Sequence, residues 1–381
     1  AGRVMLLGDE TWPPYKRPPL SKAYLAGTAD EAALYAVPPA QLQRHAIEFI
    51  GGTRVQRIHR ERREVELADG RRIAYRGLAL TTGGRARPLA VAGADLRGVQ
   101  LLRTMDDARA LRPALRQGIR LVIIGGGFIG LEAAAAAVKA GARVTLLEGL
   151  DRVLARVTAP EVSAFFERVH GEAGVHLITG VQVAALLGRE TVEAVQLADG
   201  RLIAADHVLA GIGLLPNVDL AMQAGLAVTD GIVVDECART SDPLIVAAGD
   251  CANHPSAFAG RRLRLESVQN ALEQARSAAA TLLGAEEPYR AVPWFWSDQY
   301  DLKLQMVGLS QGHDRIVVRG DLRQARDFSA FYLREGRLIA ADVVNRPQEF
   351  MLAKKLVAAG ARFDPALLAD AGVPLKSLLP S

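Results

Sequence analysis

The stretch 121-LVIIGGGFIGLEAAAAAVKAGARVTLLEG-149 limits what this chain can fold into more than any other part of it. Residues 121–124 are apolar and read as a short buried strand. Gly125, Gly127 and Gly130 follow in G-x-G-x-x-G spacing, an alanine-rich helix is expected from about 129 to 140, and Gly141 ends it. A second strand at 143–147 then delivers an acid, Glu148. Strand, glycine turn, helix, strand and acid together make a complete dinucleotide-binding fingerprint. Gly125 permits the tight turn out of the strand, Gly127 lets the backbone approach a pyrophosphate, and Gly130 lets the helix lie close to the sheet. The helix N-terminus offers unpaired N–H groups and its positive dipole end to the phosphates. Glu148 lies 18 residues after Gly130, near the spacing of a ribose 2′-hydroxyl partner. A carboxylate there accepts that hydroxyl and repels a 2′-phosphate, which favours NADH over NADPH. Arg152 and Arg156, just beyond, temper that preference.

The fingerprint starts about a third of the way along a chain of 381 residues, enough for two or three domains. Another unit must occupy the residues before it. Hydrophobic residues make up 50% and charged residues 23%, the balance of an ordinary globular protein, and no apolar run is long enough to span a membrane. Cys237 and Cys251 are 14 apart and form no C-x-x-C. That spacing argues against a disulfide framework, a zinc site or a redox dithiol, and a reducing, cytoplasmic location is expected. The formal net charge of +4 suits an acidic protein partner but is too weak to argue for nucleic acid. The seven histidines show no metal-ligand spacing, so no metal site is expected.

The chain opens with a strand at 4–7 closed by Gly8-Asp9-Glu10, and 12-WPPYKRPPLSKAYLAG-27 reads as a rigid proline-rich loop. A short helix leading into a strand is expected across 37–50. Further helices are expected at 106–117, 161–174, 268–284 and 348–359, the last with an apolar stripe at Phe350, Leu352, Leu356 and Val357. Residues 244–248 read as a buried strand broken by Gly249-Asp250 at its carboxyl end, where α/β ligands sit. One pattern repeats. The segment 64-EVELADG-70 followed by 71-RRIAYRGLALTTG-83 matches 192-VEAVQLADG-200 followed by 201-RLIAADHVLAGIG-213. Each is a hydrophobic strand, an A-D-G turn and a strand rising into a glycine loop. This reads as duplication of a whole nucleotide-binding domain, and so as two bound dinucleotides. From about 288 the pattern changes to several strands followed by a helix. The expected fold is α/β, with two Rossmann-like domains and a smaller α+β C-terminal domain.

With the fingerprint, the motifs 16-KRPPLSKAYL-25, 267-SVQNALEQA-275 and 293-PWFWSDQY-300 resemble the FAD-dependent NADH:ferredoxin reductases that serve bacterial cytochrome P450 and ring-hydroxylating oxygenase systems. The resemblance covers nearly the whole chain. It implies the glutathione-reductase-type layout: an FAD domain at 1–111 and 239–287, an inserted NAD domain at 112–238, and a C-terminal domain at 288–381. The family's first strand and its glycine loop for the FAD pyrophosphate are not in the sequence. The chain is therefore expected to be part of a longer one, since a sheet lacking a central strand leaves backbone unpaired.

For FAD, the resemblance implies Asp9 near the adenosine ribose, Arg17 and Lys22 beside the pyrophosphate and flavin, and Val55 at the adenine through its backbone. It places Thr82 and Gly83 in the glycine loop after the hairpin and Arg103 as a further contact. Asp250 takes the ribityl hydroxyls, Val268 begins a helix facing the flavin, and Trp296 lies beside it. For NAD, Gly125, Gly127, Phe128, Ile129 and Gly130 form the phosphate loop, with Glu132 facing the cleft, Glu148 on the ribose and Arg156 beyond it. Gly213 in 211-GIGLLPN-217 lies beside the nicotinamide half.

The implied reaction needs no side-chain acid or base, so no catalytic residue is assigned. Hydride passes from NADH to the flavin, and the protein supplies orientation and electrostatics. Lys22 and Trp296 are candidates for tuning the flavin, Lys22 by favouring the anionic reduced form. The region PPYKRPPLSKAYL holds no cysteine, so electrons should pass directly to a partner. That partner is expected to be an acidic [2Fe–2S] ferredoxin docked on Arg261, Arg262, Arg264, Arg315, Arg319, Arg323 and Arg326, serving a P450 or ring-hydroxylating oxygenase. The alternatives are a rubredoxin reductase, an NADH oxidase, or a redox-signalling flavoprotein resembling apoptosis-inducing factor. The oxidase normally needs a redox cysteine and the signalling protein a long basic run, and the sequence has neither.

Overall fold

A computed structural model describes residues 2–379, which form two compact units. One takes the chain up to Arg17 with Asp30–Arg85 and Leu214–Ala291; the other takes Pro18–Ala29, Ala86–Gly213 and everything from Val292 onward.

In the second unit the fingerprint strand Arg120–Ile124 is central to a five-stranded parallel sheet. Its neighbours are Arg143–Leu147 on one side and His207–Ala210 on the other, with His176–Ile178 and Val99–Leu101 at the edges. Residues 121–124 are buried on both faces, as parallel strands covered by crossovers must be. The fingerprint helix runs Phe128–Lys139. Its run Ala133–Ala137 is fully buried; alanine combines high helix propensity with a side chain short enough for close approach. The helix packs against Arg120–Ile124, Arg143–Leu147 and the later strand Trp294–Gln299. That strand opens a five-stranded antiparallel sheet completed by Leu302–Gly308, Arg337–Val344, Phe328–Arg334 and Arg315–Gly320, in that spatial order. The helix Pro347–Ala359 covers it with Phe350, Ala353, Leu356 and Val357. Ala353 replaces the expected Leu352 on that face, because the true stripe follows i, i+3, i+6 and i+7.

In the first unit Val4–Leu7 pairs in parallel with Ile47–Ile50, and Leu78–Leu80 with Ile245–Ala247. The core gathers Ile58, Val65, Leu80, Ile245, Ala247 and Cys251. The helix Val268–Leu282 packs on Ile245–Ala247 and on the short 3-10 turn Gly249–Cys251.

The repeated pattern folds the same way twice. Val55–His59, Glu64–Leu67 and Arg72–Ala74 form one antiparallel sheet; Val183–Gly188, Val192–Leu197 and Leu202–Ala204 form the other. In the turns, the N–H groups of Leu67 and Gly70 donate to Arg71 O and Leu67 O at 2.9 and 3.0 Å, and those of Leu197 and Gly200 to Arg201 O and Leu197 O at the same distances. Gly70 and Gly200 stand at φ 85° and 89°, a left-handed conformation that only glycine takes without strain.

Two expected elements differ. The helix expected at 106–117 is Met105–Leu111 followed by a 3-10 turn at Arg112–Ala114. A reciprocal cap between Thr104 and Asp107 sets its start, and Pro113, lacking an N–H, ends regular α-helix. The proline-rich stretch is helical from Pro18, with Pro18–Ser21 a 3-10 helix and Leu20, Tyr24 and Leu25 buried. Prolines suit a helix start because the first N–H groups need no intrahelical partner.

Candidate cofactor-binding site

The glycine loop is shaped by what a side chain would strike. Gly125 has φ 110°, and a Cβ there would run into the carbonyl of Gly211. A Cβ on Gly130 would run into the carbonyl of Gly125, the close helix–strand approach its position requires. Gly127 has nothing within 4 Å of its would-be Cβ and caps the helix without any side-chain hydrogen bond. Open space therefore lies before the free N–H groups of the first turn, while Ile129 is 41% exposed and Phe128 packs on Phe295 at 4.6 Å between ring centroids.

Glu148 follows the strand Arg143–Leu147. Its Oε2 accepts the N–H of Gly126 at 2.5 Å and its Oε1 that of Leu150 at 2.8 Å. Gly126 is a residue that the fingerprint spacing leaves unspecified. A Cβ on it would lie 2.9 Å from Val153 Cγ1 and 3.0 Å from Glu148 Oε2, so Val153 and the acid together leave no room for a side chain at this middle glycine. The run of three consecutive glycines was the available signal. Arg152 does not temper the acid: its guanidinium donates to Thr158 O, Ser163 Oγ and Ala155 O. Arg156 is exposed, and Gly213, at φ 117°, accepts the N–H of Arg87 at 2.9 Å. An uncapped helix end with open space and an acid at the end of the next strand fit a dinucleotide.

Lys22 and Glu132, expected at different cofactors, form one ion pair of 2.8 Å in the second unit, with side chains 15% and 2% exposed. Ser21 Oγ donates to Glu132 Oε2 at 2.5 Å and Ser297 Oγ to Oε1 at 2.6 Å. The carboxylate is thus buried but fully engaged, the condition under which a buried charge is tolerated. Trp296 is half-buried, with Trp294 at 5.6 Å. Arg103 is half-buried, and its N–H donates to Asp107 at 2.9 Å.

In the first unit Asp9 is exposed after the strand Val4–Leu7, and Val55 begins the strand Val55–His59. Arg17 pairs with Glu10 at 2.5 Å and contacts the Tyr15 hydroxyl at 3.0 Å, and it feels the negative charge of Asp250. Asp250 sits in the turn after Ile245–Ala247, where Gly249 N donates to Gln274 Oε1 at 2.8 Å. Thr82 Oγ1 donates to Asn217 O at 2.6 Å, next to Gly83 at φ 58°. Val268 is the first residue of a helix capped by Ser267. Near this helix start Asn270 Oδ1 and Gln274 Nε2 are buried without a hydrogen-bond partner among the described residues. Unsatisfied polar atoms, with an acid and a guanidinium within reach of each other's field, fit a polar, phosphate-bearing ligand such as FAD.

Of the arginines expected to dock a partner, Arg319 is corrected. It is 4% exposed and donates to Glu349 and to the carbonyls of Asp370, Ala371 and Val373. Arg264 is held by Asp230 and Glu266, and Arg326 by Asp301 and Glu172. Both cysteines are free and buried. No group of metal-ligating side chains occurs among the described residues, and no helix there is long and apolar enough to cross a membrane.

Such a fold and site define an oxidoreductase that works with two nucleotide cofactors. The family model for pyridine nucleotide-disulphide oxidoreductases matches residues 1–275, and a reductase C-terminal model matches 294–379. The chain is 51% identical to putidaredoxin reductase of Pseudomonas putida over 99% of its own length and 91% of that protein. It is 46% identical to rhodocoxin reductase of Rhodococcus erythropolis, over 99% and 88%. The crystal structure of the covalent putidaredoxin reductase–putidaredoxin complex superposes with a TM-score of 0.96, at 51% identity, covering 99% of this chain and 92% of that one. The chain belongs to the pyridine nucleotide-disulphide oxidoreductase family, among its FAD-dependent ferredoxin reductases. It is an oxidoreductase that uses FAD and NAD(P)H.

Proposed function

We propose that this chain carries electrons from NADH through FAD to an acidic [2Fe–2S] ferredoxin that feeds a cytochrome P450 or a ring-hydroxylating oxygenase. The observation that carries the reading is the state of the thiols. Cys251 is buried with its thiol pushed up by burial, and Cys237 is a separate buried thiol. With no dithiol to relay them, electrons leave the flavin directly, and the relatives supply the class of acceptor. FAD, when bound, would supply a centre able to take the two electrons of a hydride together and give them up singly. The chain's own residues orient and bias that exchange. The loop Gly125–Gly130 holds the NADH phosphates on free N–H groups, and Glu148 takes the adenine-side ribose and turns away a 2′-phosphate. Lys22, held by its ion pair with Glu132, presents an ammonium to the flavin. Arg17, Asp250 and the helix starting at Val268 are the groups of the first unit read as FAD contacts.

We read residues 1–111 and 239–287 as the FAD domain, 112–238 as the NAD domain and 288–381 as the C-terminal domain. The exposed Arg261, Arg315 and Arg323 and the net charge of +4 suit an acidic partner in a weak, charge-guided encounter. Two free thiols suit a cytoplasmic location. The test is NADH-driven reduction of a [2Fe–2S] ferredoxin, a rubredoxin, or oxygen alone by the full-length holoprotein. Fast turnover with the ferredoxin is expected. Rapid oxygen consumption that ferredoxin does not accelerate sinks the reading, and preference for rubredoxin moves the protein to that class.

A further inference from the structure

Behind Glu132 runs a line of polar side chains that the function above does not use. Ser297 Oγ, which donates to Glu132, lies 3.1 Å from Gln299 Nε2. Gln299 Oε1 lies 2.8 Å from His170 Nε2, and His170 Nδ1 lies 3.0 Å from the Tyr300 hydroxyl. Glu132, Ser297, Gln299 and His170 are each at most 3% exposed, while Tyr300 reaches solvent at 36%.

The carboxylate fixes the direction of every bond in the line. An ionised Glu132 only accepts, so Ser297 gives it its single proton. Ser297 Oγ must then accept from the Gln299 amide nitrogen, which turns Gln299 Oε1 toward His170. His170 must therefore carry its proton on Nε2 and accept the Tyr300 hydroxyl at Nδ1. All four donors point inward, toward one negative charge. Burial lowers the His170 imidazole to about 4, so it stays neutral and keeps this tautomer at ordinary pH. Tyr300 itself stands at φ 56° in the turn between Trp294–Gln299 and Leu302–Gly308, with its ring edge-on to His170 at 4.9 Å. A left-handed tyrosine is costly and persists where its side chain is needed.

We propose that Ser297, Gln299 and His170 are positioning residues for Lys22: their aligned dipoles hold Glu132 in one orientation and drain its negative charge, so that the Lys22 ammonium keeps its full field at the flavin. The proposal rests on the reading that Lys22 faces the flavin. A carboxylate stripped of the Ser297 donor draws harder on Lys22, and the pair then presents less positive charge to the reduced cofactor.

The test is the two-electron midpoint potential of the bound FAD, read spectroscopically against a reference dye in the full-length holoprotein, with FAD content and melting temperature alongside. Ser297→Ala is expected to shift the reduced/oxidised equilibrium roughly tenfold toward the oxidised form, about 30 mV lower for a two-electron couple. His170→Phe shifts it in the same direction by less, and Lys22→Met by more. A merely structural role lowers melting temperature or FAD content and leaves the potential in place. Should Ser297→Ala fail to bind FAD, Gln299→Met, which opens little cavity, decides the matter by the same readout. If Lys22→Met moves the potential and neither of those two variants does, the positioning role is wrong while Lys22 stays at the flavin. If Lys22→Met itself leaves the potential unmoved, the placement of Lys22 fails and the proposal with it.

Discussion

Replacing Glu148 with alanine separates the loop bonds this carboxylate makes from the cofactor selectivity proposed for it. Its oxygens accept the N–H groups of Gly126 and Leu150 at 2.5 and 2.8 Å, which shapes the glycine loop for either nicotinamide cofactor. Losing those bonds lowers kcat/KM for NADH and NADPH alike and cancels in their ratio. The remaining role is selective. A ribose hydroxyl bonded to a charged acceptor is worth about 1.5–3 kcal/mol, and only NADH has that hydroxyl. A 2′-phosphate facing the carboxylate is repelled; two unit charges 4 Å apart interact by about 4 kcal/mol at an effective dielectric of 20 and about 1 kcal/mol in bulk water, and the lower figure is taken for this solvent-facing site. The two terms together come to about 3 kcal/mol, so the NADH/NADPH ratio of kcat/KM should fall roughly a hundredfold in Glu148→Ala. Arg152 offers no substitute for the phosphate, since its guanidinium is spent on two carbonyls and Ser163. The assay is steady-state turnover with both cofactors and a small acceptor such as ferricyanide, which needs no docking. An unchanged ratio with both rates lowered refutes the selective role and leaves Glu148 as a loop-builder only.

Gly126→Ala drives a methyl against Val153 and the Glu148 carboxylate. Overpacking of this kind costs about 1–3 kcal/mol, so NADH kcat/KM should fall roughly tenfold or more while NADPH loses less; equal losses would mean the acid is not displaced. Asp342 is buried in the C-terminal sheet, where it accepts the hydroxyls of Tyr332 and Thr158. Burial pushes its carboxyl up to about 6, against those hydrogen bonds. Between about pH 4 and 6 the native state keeps a proton that the unfolded chain has lost, so this group's contribution falls by on the order of 3 kcal/mol as pH rises through that window, and is level above it. Denaturant midpoints of wild type and Asp342→Asn should therefore diverge across that window, and parallel curves would contradict the buried charge.

What was legible in the sequence had a local signal. The fingerprint helix and both flanking strands, the twin A-D-G turns and the strands-then-helix order of the C-terminal segment followed from apolar runs and from glycines at positions that need them. What was not legible depends on residues far apart in the chain. Gly126 is crowded by Val153 and by Glu148, 22 positions on, and a spacing rule that leaves its middle position open says nothing of it. Lys22, Glu132 and Ser297 come from separate thirds of the sequence, so the family resemblance implied a role for the first two but not their pairing. Arg319 was taken for surface because it is charged. Strand alternation held the correction: in Arg315–Gly320 the inward positions are Val317 and Arg319, and an inward arginine must find carbonyls and an acid, as this one does.

The same geometry explains why the C-terminal sheet bears on the cofactor site. Phe128 and Glu132 lie four apart on the fingerprint helix, about 6 Å along its axis and on one face. Phe295 and Ser297 lie two apart on the strand Trp294–Gln299, about 6.6 Å along it and on one side. The two spacings nearly match, so helix and strand meet in register: Phe128 against Phe295 at 4.6 Å, and Glu132 against Ser297 at 2.6 Å. The strand's next inward residue, Gln299, continues the series to His170. The helix whose first turn we read as the phosphate-binding one is thereby clamped, one turn later, by the C-terminal sheet through the carboxylate that holds Lys22. A Glu132 variant consequently disturbs helix packing, the lysine's charge balance and the phosphate loop together, and cannot isolate any one of them. Ser297, whose hydroxyl bonds to the carboxylate and to Gln299, is the cleaner place to cut.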